Sequence, residues 1–213
     1  MTGANEQAPK ILDVPIGLGA TGMRQEFDSL GTVEVPADRY WGAQTQRSLE
    51  HFNIHNDRMP KEVYHAYAYV RKGRGGGQYP GGPVAGLDGR PDRASVWRGD
   101  QREAGSGVPA VCVWQTGSGT QSNMKVNEVI PNRCIQLVGG TLGSQEPVHP
   151  NDHVNMGQSS NDTFPTAMHI AAYTMATEKT IPALKRLRDA TERGPAKAQD
   201  AGAAVGTPLD RSA

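Results

Sequence analysis

The chain has 213 residues and a formal net charge of zero, with 22 basic and 22 acidic residues. This length allows one substantial domain, or one domain and part of another. The balanced charge gives no basic footprint for nucleic acid, and no apolar run reaches the length of a transmembrane helix, so we expect no nucleic acid, no membrane and a cytoplasmic location.

The first part of the chain predicts a leader followed by a β-hairpin. Residues 1–22 hold proline, glycine and only short apolar stretches, and we expect a flexible leader that lacks the basic start and apolar core of a signal peptide. Residues 23–35 are rich in β-favouring residues around Ser29-Leu30-Gly31. They predict a short hairpin that turns at these three residues.

Two helices are predicted next. Asp38 is a candidate N-cap for a helical segment over residues 40–48. Met59-Pro60 then begins a clearer helix that we expect to end at Lys72. Its apolar residues recur at helical spacing: Val63, Ala66, Tyr67 and Val70.

The second half of the chain also has helical periodicity. Residues 122–138 predict a helix with a kink or break at Pro131, ended by Gly139-Gly140. A longer helix is predicted from Thr163 to about residue 190, with an apolar stripe along one face and a kink at Pro182.

Two stretches have no period. Residues 73–111 are dominated by glycine, arginine and proline, and residues 191–213 by glycine, proline and alanine. Such segments cannot bury enough apolar surface to offset the entropy of ordering, so both predict disorder.

Two loops are candidates for anion binding. Residues 116–123 and 158–161 are rich in glycine, serine, threonine and asparagine, whose short donors can converge on a carboxylate or a phosphate. The second loop leads into a helix with Asn161 or Asp162 as the N-cap and Pro165 in the first turn. The unpaired N–H groups and the positive end of the helix dipole would then lie beside the loop.

These motifs occur in the order found in a known family. TGSGTQSNM at residues 116–124, HPND at 149–152 and GQSSNDTFPTAMH at 157–169 resemble the class II fumarate hydratases of the fumarase/aspartase superfamily. RQEFDSLG and VPADRYWGAQTQRS near the start resemble the same family. The match covers roughly residues 23–72 and 112–190.

The resemblance implies a mainly α fold. Residues 23–160 would form a small mixed N-terminal lyase domain, and residues 161–190 the first helix of a central long-helix bundle that is truncated here. The family hydrates fumarate to malate reversibly without a metal or an organic cofactor. It does so as a homotetramer in which three subunits build each active site.

The resemblance also assigns site residues. The substrate-binding candidates are Ser118, Gly119, Thr120, Asn123, Ser159, Ser160 and Asn161. The candidates for a second dicarboxylate site are His149, Pro150, Asn151 and Asp152. The family's catalytic histidine and serine motifs do not occur in this sequence, so we expect no catalytic residue and negligible hydratase activity from this chain alone.

Three alternatives remain open at this stage. A metal site at His149, Asp152 and His153 is weakly indicated, because Pro150 makes a helix that carries both histidines doubtful. An aspartase-like ammonia lyase shares much of the layout, and a non-catalytic chain that only binds or co-assembles would keep the same loops. Lys125 and Glu146 depart from the family pattern, by placing a cation beside the first loop and an acid near the second site.

The family has continuous helical sequence where residues 73–111 are rich in glycine. A one-base shift of a GC-rich reading frame produces such text, so we interpret residues 73–111, and with them residues 191–213, as frameshifted segments of an N-terminal fragment. DNA reads that show one unbroken frame across these codons would contradict this interpretation.

Overall fold

The computed structural model describes residues 12–15, 17–75, 111–116 and 118–200, with the backbone alone at residues 72–75 and 194–200. It divides into two units, Met1–Ala171 and Ala172–Ala213. Most of the proposed frameshifted segment, residues 76–110, lies outside the described residues, as do residues 201–213.

The predicted hairpin is confirmed. Strand β1, Met23–Asp28, pairs antiparallel with β2, Gly31–Pro36, in a register that places Asp28 opposite Gly31. The two-residue turn is fixed by Asp28, whose Oδ1 accepts from Leu30 N at 2.9 Å. Gly31 has a φ of +112°, which glycine adopts without the steric cost of a side chain.

The mainly α class is confirmed as well. The helices are α1 Ala43–His51, α2 Lys61–Gly75, α3 Thr120–Leu137, α4 Ser160–Met175 and α5 Ile181–Asp200, with π-helical turns at Pro150–Val154 and Ala176–Thr180. Within the described ranges, none of them has both the length and the hydropathy needed to cross a bilayer.

The core of the first unit lies where α2, α3 and α4 meet. The predicted apolar face of α2 supplies Val63, Ala66 and Tyr67, which pack with Val126 of α3 and Ala167 of α4. Burial raises the pKa of the Tyr67 hydroxyl well above its usual value, so this phenol stays neutral.

Helix α3 buries polar side chains as well as apolar ones. Asn123 and Asn127 accept from Arg71 of α2, Glu128 accepts from the start of α1, and Asn132 bonds to Tyr40 O and Gly143 N. Buried polar groups are costly unless they are hydrogen-bonded, so each of these bonds fixes one neighbouring segment against α3.

The start of α1 differs from the prediction. The N-cap is Gly42 rather than Asp38, and it has no side-chain cap of its own. Glu128, a residue of α3, caps the helix instead. Its carboxyl oxygens accept from the N–H groups of Gly42, Gln44 and Thr45 at 2.7–3.0 Å and from Thr45 Oγ1 at 2.6 Å. A buried carboxylate that accepts several N–H groups satisfies the helix start more fully than an exposed aspartate could.

Part of the expected flexible leader is held in place. Arg133 donates to Val14 O and Pro15 O, and Leu12 N donates to Leu137 O. Tyr40 Oη lies 3.0 Å from Gly17 N. The two bonds of Arg133 join residues that are 118 and 119 positions apart in sequence. Local sequence patterns do not predict contacts at such a separation.

Two predicted helix ends and one predicted break, the alternative to a kink at Pro131, are wrong. Helix α2 continues past Lys72 to Gly75, since Gly73 and Gly75 each cost a helix only about 1 kcal/mol. Helix α3 is unbroken at Pro131, whose missing N–H removes one backbone bond from a helix that is buried along most of its length. Helix α5 runs through residues 191–200 of the expected disordered tail.

Side chains support that continuation of α5. Thr191 Oγ1 donates to Leu187 O, and Arg193 Nε donates to Asp189 O, both at 2.9 Å. Just before α5, Ile181 N donates to Ala176 O in the π-helical turn. Pro182 follows at once and has no N–H to donate, so the altered bonding lies where the kink was predicted.

Glu128→Gln tests the buried cap of α1. Desolvation raises the pKa of Glu128 from 4.5 to about 7, against the opposing effect of the donors from Thr45, Gln44 and Gly42. The folded state therefore holds a proton that the unfolded chain has lost between these pH values. The contribution of Glu128 to stability is present below the unfolded pKa and is lost as the pH rises through the folded pKa.

We expect the free energy of unfolding of the wild type to fall by about 3 kcal/mol more than that of the variant between about pH 4.5 and pH 7. Urea unfolding at a series of pH values measures this difference. Glu34→Gln is the control, because Glu34 is exposed on β2 and should leave the wild-type pH profile unchanged. Parallel profiles for the wild type and Glu128→Gln would contradict the prediction.

Candidate functional site

The first predicted loop ends at the start of α3. Gly119 is the N-cap, with a φ of +69°, and its N–H donates to Thr116 O at 3.0 Å. A Cβ built on Gly119 would lie 2.1 Å from Cγ of Phe164 in α4. Both the backbone conformation and the contact with Phe164 therefore require glycine here.

The second loop ends at the start of α4. Ser159 is the residue that caps this helix, since its Oγ accepts from Asn161 N and its carbonyl oxygen accepts from Asp162 N and Thr163 N. The predicted cap at Asn161 or Asp162 is therefore late by two or three residues. Pro165 lies in the second turn rather than the first, because α4 begins at Ser160.

The structure brings the two loops together. Ser118 Oγ lies 2.7 Å from Thr120 Oγ1, which in turn lies 3.2 Å from Ser160 Oγ. Thr120 and Ser160 are the first residues of α3 and α4, so two helix N-termini meet at this chain of hydroxyls. Each N-terminus carries unpaired N–H groups and a partial positive charge, and a group of this kind favours an anion.

The seven substrate-binding candidates differ in exposure. Ser118, Thr120 and Ser160 are half-buried, and Ser159 and Asn161 are exposed. Gly119 and Asn123 are buried. Asn123 lies beneath the loops, where its Oδ1 accepts from Arg71 Nη2 and, at 3.0 Å, from Thr163 Oγ1.

Arg71 was missed by the sequence analysis. Its side chain is 7% exposed, and Nη2 donates to Asn127 Oδ1 at 2.6 Å and to Asn155 Oδ1 at 3.0 Å, as well as to Asn123. A signal was present, because Arg71 follows Tyr67 by four residues and therefore lies on the predicted apolar face of α2. A cation on a buried helix face must be hydrogen-bonded, which marks a polar cluster.

The candidates for a second dicarboxylate site form one turn. His149 is the N-cap of the π-helical turn Pro150–Val154, and its Nδ1 accepts from Asn151 N and Asp152 N. His153 Nδ1 accepts from His149 N at 2.7 Å. His149 Nδ1 also lies 3.1 Å from Asp152 Oδ2.

A cavity of about 460 Å³ opens beside this turn. Its lining includes His149, Pro150 and Asn151, together with the carboxylates of Glu26, Asp28 and Glu128. Those carboxylates accept from Arg24, Arg47 and the start of α1 respectively. The two arginines thereby partly offset the negative charge of Glu26 and Asp28, whereas the raised pKa of Glu128 favours its neutral form.

The two departures from the family pattern have different surroundings. Lys125 is buried, with Nζ 4.0 Å from the centre of the Tyr64 ring, a cation–π contact inside the core. Its ammonium group is therefore held by the ring. Glu146 is exposed and lies three residues before His149.

The chain is similar to known lyases. A family model described as "Lyase" matches residues 31–206. The class II fumarate hydratase of Methanosarcina acetivorans is 60% identical over 186 residues, which are 85% of this chain and 37% of that protein. The class II fumarate hydratase of Thermosynechococcus vestitus is 52% identical over 169 residues, covering 78% of this chain and 36% of that protein.

A solved structure agrees with these relatives. The recombinant class II fumarase from Schistosoma mansoni superposes with a TM-score of 0.66 at 40% identity, covering 78% of this chain and 35% of that one. The chain belongs to the lyase family that the matching model describes, and its resemblance to the class II fumarate hydratases is confirmed. It spans a little over a third of the length of the curated relatives it matches.

Gly119→Ala tests the junction between the two loops. The variant must adopt a positive φ and must also displace Phe164. We expect it to lower the free energy of unfolding by about 3 kcal/mol, from backbone strain and overpacking together. Urea unfolding measures the loss.

The matched control is Gly31→Ala. Gly31 also has a positive φ, but nothing lies within 4 Å of a Cβ built on it, so this variant carries the backbone strain alone. We expect it to lose about 1–2 kcal/mol. Equal losses for the two variants would show that the contact with Phe164 carries no cost.

Proposed function

We propose that this chain supplies one of the regions from which a fumarate hydratase active site is assembled, and that the whole protein hydrates fumarate to malate reversibly. The observation that carries the proposal is the 3.2 Å approach of Thr120 and Ser160, which brings the N-termini of α3 and α4 to one group of hydroxyls. The relatives named as fumarate hydratases support the choice of substrate.

The chemistry requires one substrate carboxylate to be held while charge develops on it. Removing a proton from the carbon beside a carboxylate places additional negative charge on its oxygens, as an aci-carboxylate. Hydroxyls at Ser118, Thr120 and Ser160 would donate to these oxygens, and the two helix N-termini would stabilise the added charge. Neutral donors perform this task without titrating themselves.

We also propose a second dicarboxylate site at His149, Pro150, Asn151 and Asp152. The imidazole of His149 is at the N-cap of the π-helical turn that begins at Pro150, and a histidine N–H can donate to a carboxylate. Asp152 and the exposed Glu146 place negative charge on the same segment, which works against anion binding there.

The proposal assigns no catalytic residue to this chain, because the histidine and serine motifs implied by the resemblance do not occur in its sequence. We propose that the whole protein is a cytoplasmic homotetramer and needs no metal or organic cofactor. An exposed apolar stripe on α5, formed by Ile181, Leu184 and Leu187, supports association with other helices.

Thr120→Val and Ser160→Ala test the hydroxyl group. Each removes one donor at the helix N-termini, and we expect each to weaken fumarate binding by the purified chain about tenfold in Kd. Isothermal titration calorimetry measures the binding, with L-aspartate as a second ligand to separate the ammonia-lyase alternative. Thr32→Val, at an exposed position on β2, is the matched control and should bind as the wild type does.

The same preparation is assayed for loss of the fumarate double bond. We expect negligible turnover by this chain alone, and robust turnover would contradict the assignment of the acid and base to other segments. A wild-type chain that binds neither ligand would remove the proposed role of the hydroxyl group. Tighter binding of aspartate than of fumarate would favour the ammonia lyase.

A further inference from the structure

The buried guanidinium of Arg71 contacts the supports of both candidate loops. One nitrogen, Nη2, donates to the Oδ1 atoms of Asn123, Asn127 and Asn155. Asn123 lies in the first turn of α3, directly after the Ser118–Thr120 hydroxyls, and Asn155 follows the π-helical turn that begins at Pro150. Segments that are 32 residues apart in sequence therefore meet at one donor.

Asn155 and Thr163 extend these contacts to the second loop. Asn155 Nδ2 donates to Gln158 O at 3.2 Å, at the beginning of that loop. Thr163 Oγ1 lies 3.0 Å from Asn123 Oδ1 and 3.1 Å from Ser159 O. The path from Arg71 to Ser159 thus passes through the buried side chains of Asn123 and Thr163.

The cation also determines which way the amides face. Three carbonyl oxygens that converge on one point repel each other unless a donor lies between them, and Arg71 is that donor. With the Asn123 oxygen directed inward, its Nδ2 donates to Asn155 Oδ1 at 3.2 Å, which joins the two amides. Without the guanidinium, the three amide oxygens would lose the donor that stabilises their convergence.

We propose that Arg71 is a positioning residue for the candidate dicarboxylate site, which sets the separation of the two hydroxyl-bearing loops through Asn123 and Asn155. It acts from beneath the loops and does not itself bind the ligand. This inference rests on the proposed function, because it concerns the same site.

Arg71→Met and Arg71→Lys test the proposal in the full chain. We expect Arg71→Met to raise the Kd for fumarate about tenfold or more, and Arg71→Lys to recover part of that loss because an ammonium still donates to amide oxygens. In ¹⁵N-labelled protein, the side-chain amide signals of Asn123 and Asn155 should move in Arg71→Met toward positions typical of solvated asparagine. If Arg71 merely stabilised the fold, its replacement would not shift the amide signals of Asn123 and Asn155 selectively.

Arg133→Met is the matched control. Arg133 is a buried arginine on α3 that donates to the carbonyl oxygens of Val14 and Pro15, away from the loops. The Arg133→Met variant should have the wild-type Kd for fumarate and unchanged side-chain amide signals of Asn123 and Asn155. An equal loss of binding in Arg133→Met would overturn the proposal, as would wild-type binding by a folded Arg71→Met.

Asn155→Ala keeps the test decisive if Arg71→Met does not fold. It removes one acceptor of the guanidinium while the buried charge remains, and we expect a severalfold weaker fumarate Kd with a shifted Asn123 amide signal. Wild-type values for both would overturn the proposal. A wild-type chain that binds no dicarboxylate would instead remove the proposed function and the inference together, so the two failures are distinguishable.

Discussion

Hydrogen bonding of the polar side chains buried along α3 is the constraint on which the first unit depends. Asn123 and Asn127 bond to α2, Glu128 to the start of α1, Asn132 to residues 40 and 143, and Arg133 to residues 14 and 15. Each of the three amides would cost about 1–3 kcal/mol if it were buried without a partner, and a charged group such as Arg133 would cost more. The segments around α3 therefore have to be placed correctly before the helix can be buried.

The candidate site is a direct product of that arrangement. Helix α3 begins at the TGSGT loop, and α4 packs on it through the contact of Phe164 with Gly119. The hydroxyls of Thr120 and Ser160 are consequently held together at the first residues of two helices, beside the contact of Phe164 with Gly119. A rigid scaffold beneath polar loops is what orientation of a small anionic substrate requires.

Local features were predictable from the sequence, and long-range partners were not. The hairpin follows from a turn and β-favouring residues within fourteen positions, and α2 from the spacing of its own apolar residues. The cap of α1 comes from Glu128, which lies 86 residues from Gly42, and so the nearby Asp38 was the wrong choice. The bonds of Leu12, Val14 and Pro15 to α3 could not be predicted for the same reason, since their partners lie more than 100 residues away in sequence.

The candidate site likewise has local features that the sequence predicts and long-range partners that it does not. The loop composition and the helix start were enough to predict that residues 116–123 and 158–161 suit an anion, and the hydroxyl contact between them is observed. Arg71 could have been suspected from its position on the apolar face of α2, but its three amide partners come from two distant segments. Only the packed fold identifies them.

The capping of α1 by Glu128 has a consequence for synthesis of the chain on the ribosome. The hairpin has all its backbone partners within the first 36 residues and can pair early. The N–H groups of Gly42, Gln44 and Thr45 have no access to their carboxylate until residue 128 has emerged, and Gly119 meets Phe164 later still. Contacts this far apart in sequence form slowly, so the nascent chain exposes an unfinished helix start at least until residue 128 has emerged.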